Sequence, residues 1–477
     1  MSTSTIYMRN NEDVSNFLIG KFNDTRLAKI GGLLFKKMCT QLTLHIKRLA
    51  GTRALEVAFG RFLHNDKVTV NEIEKEIVTK TNEVCLGKKH VLAIQDTVEI
   101  AFPTHFTKKS EFGPTTGNKN VKGLFAHPTI IVNAENKDII GVGGLKIWIR
   151  PEEKASPREK RKLEDKESYR WVETAKKASA AITNADMVTH VGDRESDIYE
   201  LFEQVPDERN HLIVRSRHDR KLAETDEDDH SILLSQHMEK IGSVGTYEIE
   251  LPEITGVRKA RTATISIKFS IVEMIPPKKY LISQNKKNIS VTCVEAIEVG
   301  EVPENESSIY WRLLTTHKIT DIEDARQIVI WYTWRWVIEQ IFRTMKKKGL
   351  NLEESQIETP EVLVKMLALS IAVAVKVLCL VHARDGKTDR LASDVFNKSE
   401  LVLLALVLLK VQGKTSKQQN PYKTDTLSWA TWIIARLGGW NGYDSESPPG
   451  PITFVRGLIK FENYLEGWEL SQKDVCI

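Results

Sequence analysis

The segment Tyr332-Thr-Trp-Arg335-Trp-Val-Ile-Glu339-Gln-Ile-Phe-Arg343-Thr-Met-Lys346-Lys347-Lys348 constrains the fold of this chain more than any other stretch. Read as a helix, it sorts two kinds of chemistry onto two faces. Ile330, Trp334, Val337, Ile338, Ile341 and Met345 recur at helical spacing and make an apolar face that demands a core to pack against. Tyr332, Arg335, Glu339 and Lys346, spaced by three, four and seven positions, fall on the other side. A lone carboxylate therefore stands among cations. On the helix alone the same pattern suits an exposed surface helix, in which Glu339 pairs with Arg335 and Arg343 for about 0.2–0.5 kcal/mol per pair.

Two more acids shift that balance. Asp96 closes the apolar run from Val91 to Ile94, and Asp193 follows the run from Met187 to Val191, ahead of a helix-like Asp197 to Phe202. Such runs are predicted as strands buried on both faces of a sheet, and catalytic side chains in open α/β sheets gather at the carboxyl ends of strands. Two Asp at strand ends and one Glu on a packed helix make a hard, all-oxygen donor set that suits Mg²⁺ or Mn²⁺ completed by substrate phosphate. No softer set competes with it. Cys39, Cys85, Cys293, Cys379 and Cys476 are scattered, with no CxxC pair and no histidine at zinc-like spacing, as expected of reduced thiols in a cytoplasmic protein.

The order Asp96, Asp193, Glu339, with Tyr332, Arg335 and Lys346 spaced around the glutamate, resembles the DDE transposases of bacterial insertion sequences. The resemblance is to the insertion-sequence-four family, in the branch with the Tyr-Arg-Glu-Lys signature, of the Tn-five transposon kind. Further motifs match in order and spacing: Ile94-Gln-Asp96-Thr97, Val191-Gly-Asp193-Arg194-Glu195-Ser-Asp197-Ile198, Ile213-Val-Arg215-Ser-Arg217-His218, Trp311-Arg-Leu-Leu-Thr315 and Ala435-Arg-Leu-Gly-Gly439. The likeness spans nearly the whole chain. It implies an α/β fold, a ribonuclease-H-like catalytic core with a β-strand insertion, flanked by helical N- and C-terminal domains.

The pass along the chain divides it in the same way. Residues 1–70 interleave cations with apolar positions (Lys21, Arg26, Lys29, Lys36, Lys37, Lys47, Arg48, Arg53, Arg61), which suits phosphate contacts beside a hydrophobic stripe and equally suits a solvated helical surface. In the family this region recognises the transposon end. The family's Tyr-Arg-Phe-x-x-Asn segment is matched by Arg61-Phe-Leu-His64-Asn65, with Gly60 in place of the tyrosine. Residues 71–365 are expected to be the catalytic domain. Strand-like alternations at 246–251, 263–271 and 288–294 mark a mostly antiparallel insertion at about 220–310. Residues 366–477 read as Leu- and Val-rich helices, a break at Pro448-Pro449-Gly450-Pro451 and a last helix near Phe454 to Leu470, and the resemblance makes this the dimerisation domain. Thr431 to Gly439 and the last helix have apolar surface enough for an interface of about 800 Å² per partner, or else finish the protomer's own core.

Met1 to Asn10 lacks an apolar stretch after a basic start, so no secretion signal is expected. No membrane span is expected either: Leu367 to Val381 contains Lys376, and Leu401 to Leu409 is too short to cross. A net charge of +4 is modest for a partner of double-stranded DNA, so phosphate contacts must be localised.

The resemblance further implies roles for single residues. Asp96 would bridge two Mg²⁺ ions, for which Mn²⁺ would substitute, with Asp193 on one and Glu339 on the other. Tyr332, Arg335 and Lys346 would hold phosphates, with Arg343 beside them and Arg215 and Arg217 as weaker members of the clamp. Trp311 would stack on a flipped base with Trp336 nearby, although by residue type it also suits a core or sheet edge. Arg26 and Arg61 would contact the transposon end. The implied activity is cut-and-paste transposition through a DNA hairpin by a homodimer that pairs two inverted-repeat ends. A ribonuclease-H-like nuclease without strand transfer, or a catalytically silent DNA-binding regulator, would need much of the same sequence.

Overall fold

The structure, a computed structural model, describes residues 19–102, 111–116, 121–152, 162–251, 253, 258–277, 286–346, 349–443 and 446–472. The first ten residues, Lys347, Lys348 and Cys476 lie outside them.

The apolar runs and alternations of the sequence become one mixed sheet. Its first part holds β1 (His90–Gln95), β2 (Val98–Phe102), β3 (Gly113–Pro114), β4 (Lys122–Asn133), β5 (Ile139–Trp148), β6 (Met187–Gly192) and β7 (Asn210–Arg215). These run in the order β5-β4-β1-β6-β7, with β4 antiparallel to both β1 and β5, and β6 and β7 parallel to β1. β2 and the short β3 also pair with β4. β1 and β2 lie end to end along one edge of β4, opposite residues 129–133 and 122–126, so the chain breaks its pairing at Asp96 and Thr97. Every residue of β1 and β6 after the first is buried, which explains their unbroken apolar character.

The sheet then continues through β8 (Lys221–Thr225), β9 (Ser231–Leu233), β10 (Gly245–Leu251), β11 (Arg261–Met274), β12 (Ile289–Val299) and β13 (Tyr310–Thr315). β13 pairs antiparallel with β7, β12 with β13 and β11 with β12, while β8 and β10 both pair with β11. The antiparallel strands thus extend the edge of the parallel part and deliver Trp311 beside it.

Helices Val70–Val84, Arg170–Ala181 and Pro360–Ala383 all pack on β5. Pro360–Ala383 is long and apolar enough to cross a membrane by length and composition, but 89% of its apolar window is buried inside the protein. It is the central core helix, and one large apolar cluster joins it to the sheet and to the helices of residues 25–63. Its Lys365 ammonium donates to the carbonyls of Leu63 (2.8 Å) and Asn65 (3.2 Å), closing the end of helix Arg53–Leu63.

Three features depart from the sequence reading. The signature segment is two helices, Ile322–Thr333 and Trp336–Lys346, because Arg335, Val337 and Ile338 donate to carbonyls three residues back and tighten the turn. Tyr332, which precedes the tightened turn, is buried at 5% exposure, against the ring of Trp311 and near enough to Arg335 for its hydroxyl to act on that guanidinium. The tail residues Trp432, Ile433 and Ile434 are buried with Phe454, Leu458, Phe461 and Leu465 in a second core of the protomer, so this segment completes the protomer. Lys36 and Lys37 pair with Glu462 and Glu466 on helix Pro451–Ser471 and do not stand as free cations.

Candidate active site

Parallel pairing sets the two aspartates side by side. Ile94 of β1 is opposite Val191 of β6, and Asp96 and Asp193 each follow two residues later, where both strands end. Gly192 is required there by space: a Cβ would lie 2.3 Å from the Ser196 hydroxyl, which donates to the Asp193 carbonyl at 2.6 Å. Each carboxylate is oriented by a local backbone donor. The Thr97 N–H lies 2.7 Å from Asp96 Oδ1, and the Glu195 N–H lies 2.8 Å from Asp193 Oδ1.

Glu339 comes to the same place on the first turn of Trp336–Lys346, whose Val337, Ile338, Ile341 and Met345 are buried. Arg335 joins the groups: Nη1 donates to Asp96 Oδ2 and Nη2 to Glu339 Oε1, each at 2.8 Å. Burial, followed by the negative charge of Asp193, pushes the Asp96 carboxyl up to about 7; Arg335 and the Thr97 N–H oppose the rise, and Glu339 adds to it. The site is thus short of positive charge even with Arg335 present. Among the described residues no three His, Cys, Asp or Glu side chains are drawn together tightly enough to hold an ion as they stand, and the guanidinium lying between Asp96 and Glu339 accounts for this. In donor chemistry the three carboxylates fit a hard divalent cation, which would supply the missing charge in place of Arg335.

The remaining sequence candidates fall into three groups. Trp311 meets the buried Tyr332 edge to face, with centroids 6.1 Å apart, and Lys346 pairs with Glu353 at 3.0 Å. Trp336 is 58% exposed, with the Arg335 guanidinium 5.8 Å from its ring centre, and Arg343 is exposed on the same helix. Arg215 donates to the Tyr310 carbonyl at 3.2 Å, while Arg217, Arg26 and Arg61 are exposed, the last two on the N-terminal helices.

Several residues of the site were not singled out from sequence. Asp197 is buried and accepts from the N–H groups of Arg217 (2.7 Å) and His218 (2.9 Å) and from Arg220. It thereby ties the loop after Asp193 to the loop after β7, and of the matched motifs one contains Asp197 and another its partners Arg217 and His218. Behind Asp96 lies a buried polar chain of Thr97, His127, Gln95 and His190. Arg170, on the helix before β6, reaches this chain from the far side.

The transposase DDE domain family matches residues 96–375, a span that opens on Asp96 and takes in Asp193 and Glu339. It covers more than half of the chain. The protein belongs to the DDE-domain transposases, a family whose cores are ribonuclease-H-like and whose members act on DNA with divalent metal ions. A solved structure, the cryo-EM structure of a piggyBac transposase synaptic complex with hairpin DNA, aligns over 98% of this chain and 80% of its own at 8% identity, with a TM-score of 0.36. That overlap is too loose to bear on fold or function.

Proposed function

We propose that this protein is a cut-and-paste DNA transposase of the Tyr-Arg-Glu-Lys branch of the insertion-sequence-four family, acting on inverted-repeat ends and joining them to target DNA. The observation that carries the reading is the convergence of Asp96, Asp193 and Glu339, with Arg335 bridging Asp96 and Glu339, inside the span matched by the family. The strand order β5-β4-β1-β6-β7, with β1 central between an antiparallel β4 and a parallel β6, supports a ribonuclease-H-like core.

Asp96, Asp193 and Glu339 hold two Mg²⁺ ions in this reading, or Mn²⁺ in their place. Bound metal supplies activation of the attacking oxygen and stabilisation of the leaving oxygen in phosphoryl transfer. Arg335, released from the carboxylates, turns its planar fork to a DNA phosphate, which it recognises in the same bidentate way. Lys346 and the exposed Arg343 extend that clamp. Trp336, at the start of the helix that carries Glu339, and Trp311, beside Tyr332 of the preceding helix, offer stacking faces for a base extruded where the DNA bends into a hairpin.

The division of labour follows the sequence: residues 1–70 bind the transposon end, 71–365 cut and join, and 366–477 pair two protomers. One trio per chain serves one end at a time, so two ends call for two chains. Such an enzyme works in the bacterial cytoplasm on nucleoid DNA. The test is to incubate the purified protein with inverted-repeat DNA and Mg²⁺. Hairpin ends and end-to-target joints are expected, whereas nicks alone would leave a nuclease, and binding without cleavage a silent regulator.

A further inference from the structure

We propose that Arg170 is a positioning residue that fixes Asp96 relative to Asp193, and so sets how tightly the acidic trio holds a divalent cation. This rests on the trio being the metal site. Arg170 touches neither carboxylate. It sits on the first turn of helix Arg170–Ala181, 8% exposed, with its guanidinium 5.6 Å from the Trp171 ring centre and 5.8 Å from that of Trp148.

Its two working arms end at equivalent places. Nε donates to the Thr97 hydroxyl at 2.8 Å, and Thr97 is the residue whose N–H holds Asp96. Nη2 pairs with the carboxylate of Glu195, the residue whose N–H holds Asp193. Nη1 donates to the Glu167 carbonyl at 2.9 Å and anchors the group to its own helix start. A rigid planar fork thus spans the two loops at a set separation, one contact removed from each aspartate. The separation needs holding, because like charges on adjacent strand ends repel one another.

The hydrogen-bond directions agree with this role. Arg170 only donates, so the Thr97 hydroxyl accepts from it and is free to donate its own hydrogen to His127 Nδ1, 2.9 Å away. His127 then donates from Nε2 to Gln95 Oε1 at 3.2 Å, which turns the Gln95 amide nitrogen toward His190 Nδ1 at 3.3 Å. Gln95, the residue before Asp96, is thus connected to Arg170 through Thr97 and His127, and its Oε1 also accepts from the Thr174 hydroxyl at 2.8 Å. Outer partners that orient ligands commonly govern metal affinity without contacting the ion.

The test is Mn²⁺ binding by the full chain without DNA, read by electron paramagnetic resonance, with melting temperature followed in parallel. Wild type is expected to bind and Asp96→Ala to lose that binding. Arg170→Met should weaken Mn²⁺ binding by about tenfold or more in a protein that still unfolds cooperatively. Arg170→Lys, which keeps the charge and one arm, should recover part of the loss. Thr97→Val and Glu195→Met each cut one arm, should weaken binding singly, and should add nothing on top of Arg170→Met. Should Arg170→Met fail to fold, the two single-arm variants decide: wild-type Mn²⁺ affinity in both would overturn the proposal. Unchanged binding in a folded Arg170→Met, with loss in Asp96→Ala, would overturn this proposal alone. Equal binding by wild type and Asp96→Ala would overturn the trio as the metal site, and this proposal with it.

Discussion

Arg335 and Asp96, 239 positions apart in the chain, meet through a 2.8 Å charge-assisted hydrogen bond at the end of β1. The same guanidinium reaches Glu339, so one cation joins two of the three acids of the family signature while the third, Asp193, presses on Asp96. A side chain that serves as counterion to the carboxylates must give them up when a metal takes that place. Under the proposed function, ion binding and the freeing of Arg335 for a DNA phosphate are thereby linked.

Removing Arg335 should expose that link. Arg335→Ala is expected to lower the stability of the metal-free protein by about 1–2 kcal/mol, screening at the more exposed Glu339 included. Added Mn²⁺ should then raise its melting temperature by more than it raises that of wild type, since the ion replaces the lost cation. Equal shifts in thermal denaturation would show that Arg335 and metal do not share the site.

A second charge effect lies at the opposite end of the sheet. His90 Nε2 and His317 Nε2 both face the Thr189 hydroxyl, at 2.7 and 2.8 Å, and His211 stacks on His317 with centroids 4.3 Å apart. Burial, with the neighbouring His211 acting in the same direction, lowers His90 from 6.5 to about 4 and His317 to about 3. The folded state therefore resists protons that the unfolded state accepts. Their contribution to stability is full above about pH 6.5 and declines as pH falls toward 4 and 3. The melting temperature should drop over that window, and His317→Gln should flatten the drop; an identical pH profile in the variant would rule this origin out.

The sequence was most legible where one physical requirement dominates. The runs ending at Asp96 and Asp193 are buried on both faces, so composition alone marked β1 and β6, and alternation marked β10 to β12. The break at Trp334 and Arg335 was not legible, because the choice between bonding three or four residues back is decided by packing that one helix cannot report. Tyr332 is buried in the core although the sequence set it across the helix from the apolar residues. Arg170 left no local signal, since its partners Thr97 and Glu195 lie 73 and 25 positions away. The tail's apolar content was visible, but not whether it faced inward.

That last point redirects the assembly test. Deleting the chain after about residue 425 would remove Trp429, Trp432 and Phe454 from the protomer's second core, so loss of assembly in such a truncation would report misfolding. An apolar stripe does stand free on helix Lys398–Val411, where Val402, Leu406 and Leu409 are 49%, 51% and 77% exposed. If protomers pair there, Leu406→Glu with Leu409→Glu should leave the melting temperature and single-end binding unchanged and abolish paired-end complexes on a native gel. Paired-end complexes that persist would place the contact elsewhere.

Trp311→Ala should separate two steps of the proposed reaction. Stacking on an extruded base is worth roughly 1–3 kcal/mol and matters only where the DNA bends sharply. Nicking should survive better than hairpin formation in a gel assay that resolves the two. Equal loss of both would mean that Trp311 serves by packing on Tyr332, as its edge-to-face contact allows.

The most direct measurement is metal-dependent cleavage of a labelled inverted-repeat end by Asp96→Ala, Asp193→Ala and Glu339→Ala, with end binding followed by mobility shift. Each variant is expected to bind the end as wild type does and to cut at background level in Mg²⁺ and in Mn²⁺. Metal-dependent cleavage retained by any one of them would contradict its place in the site.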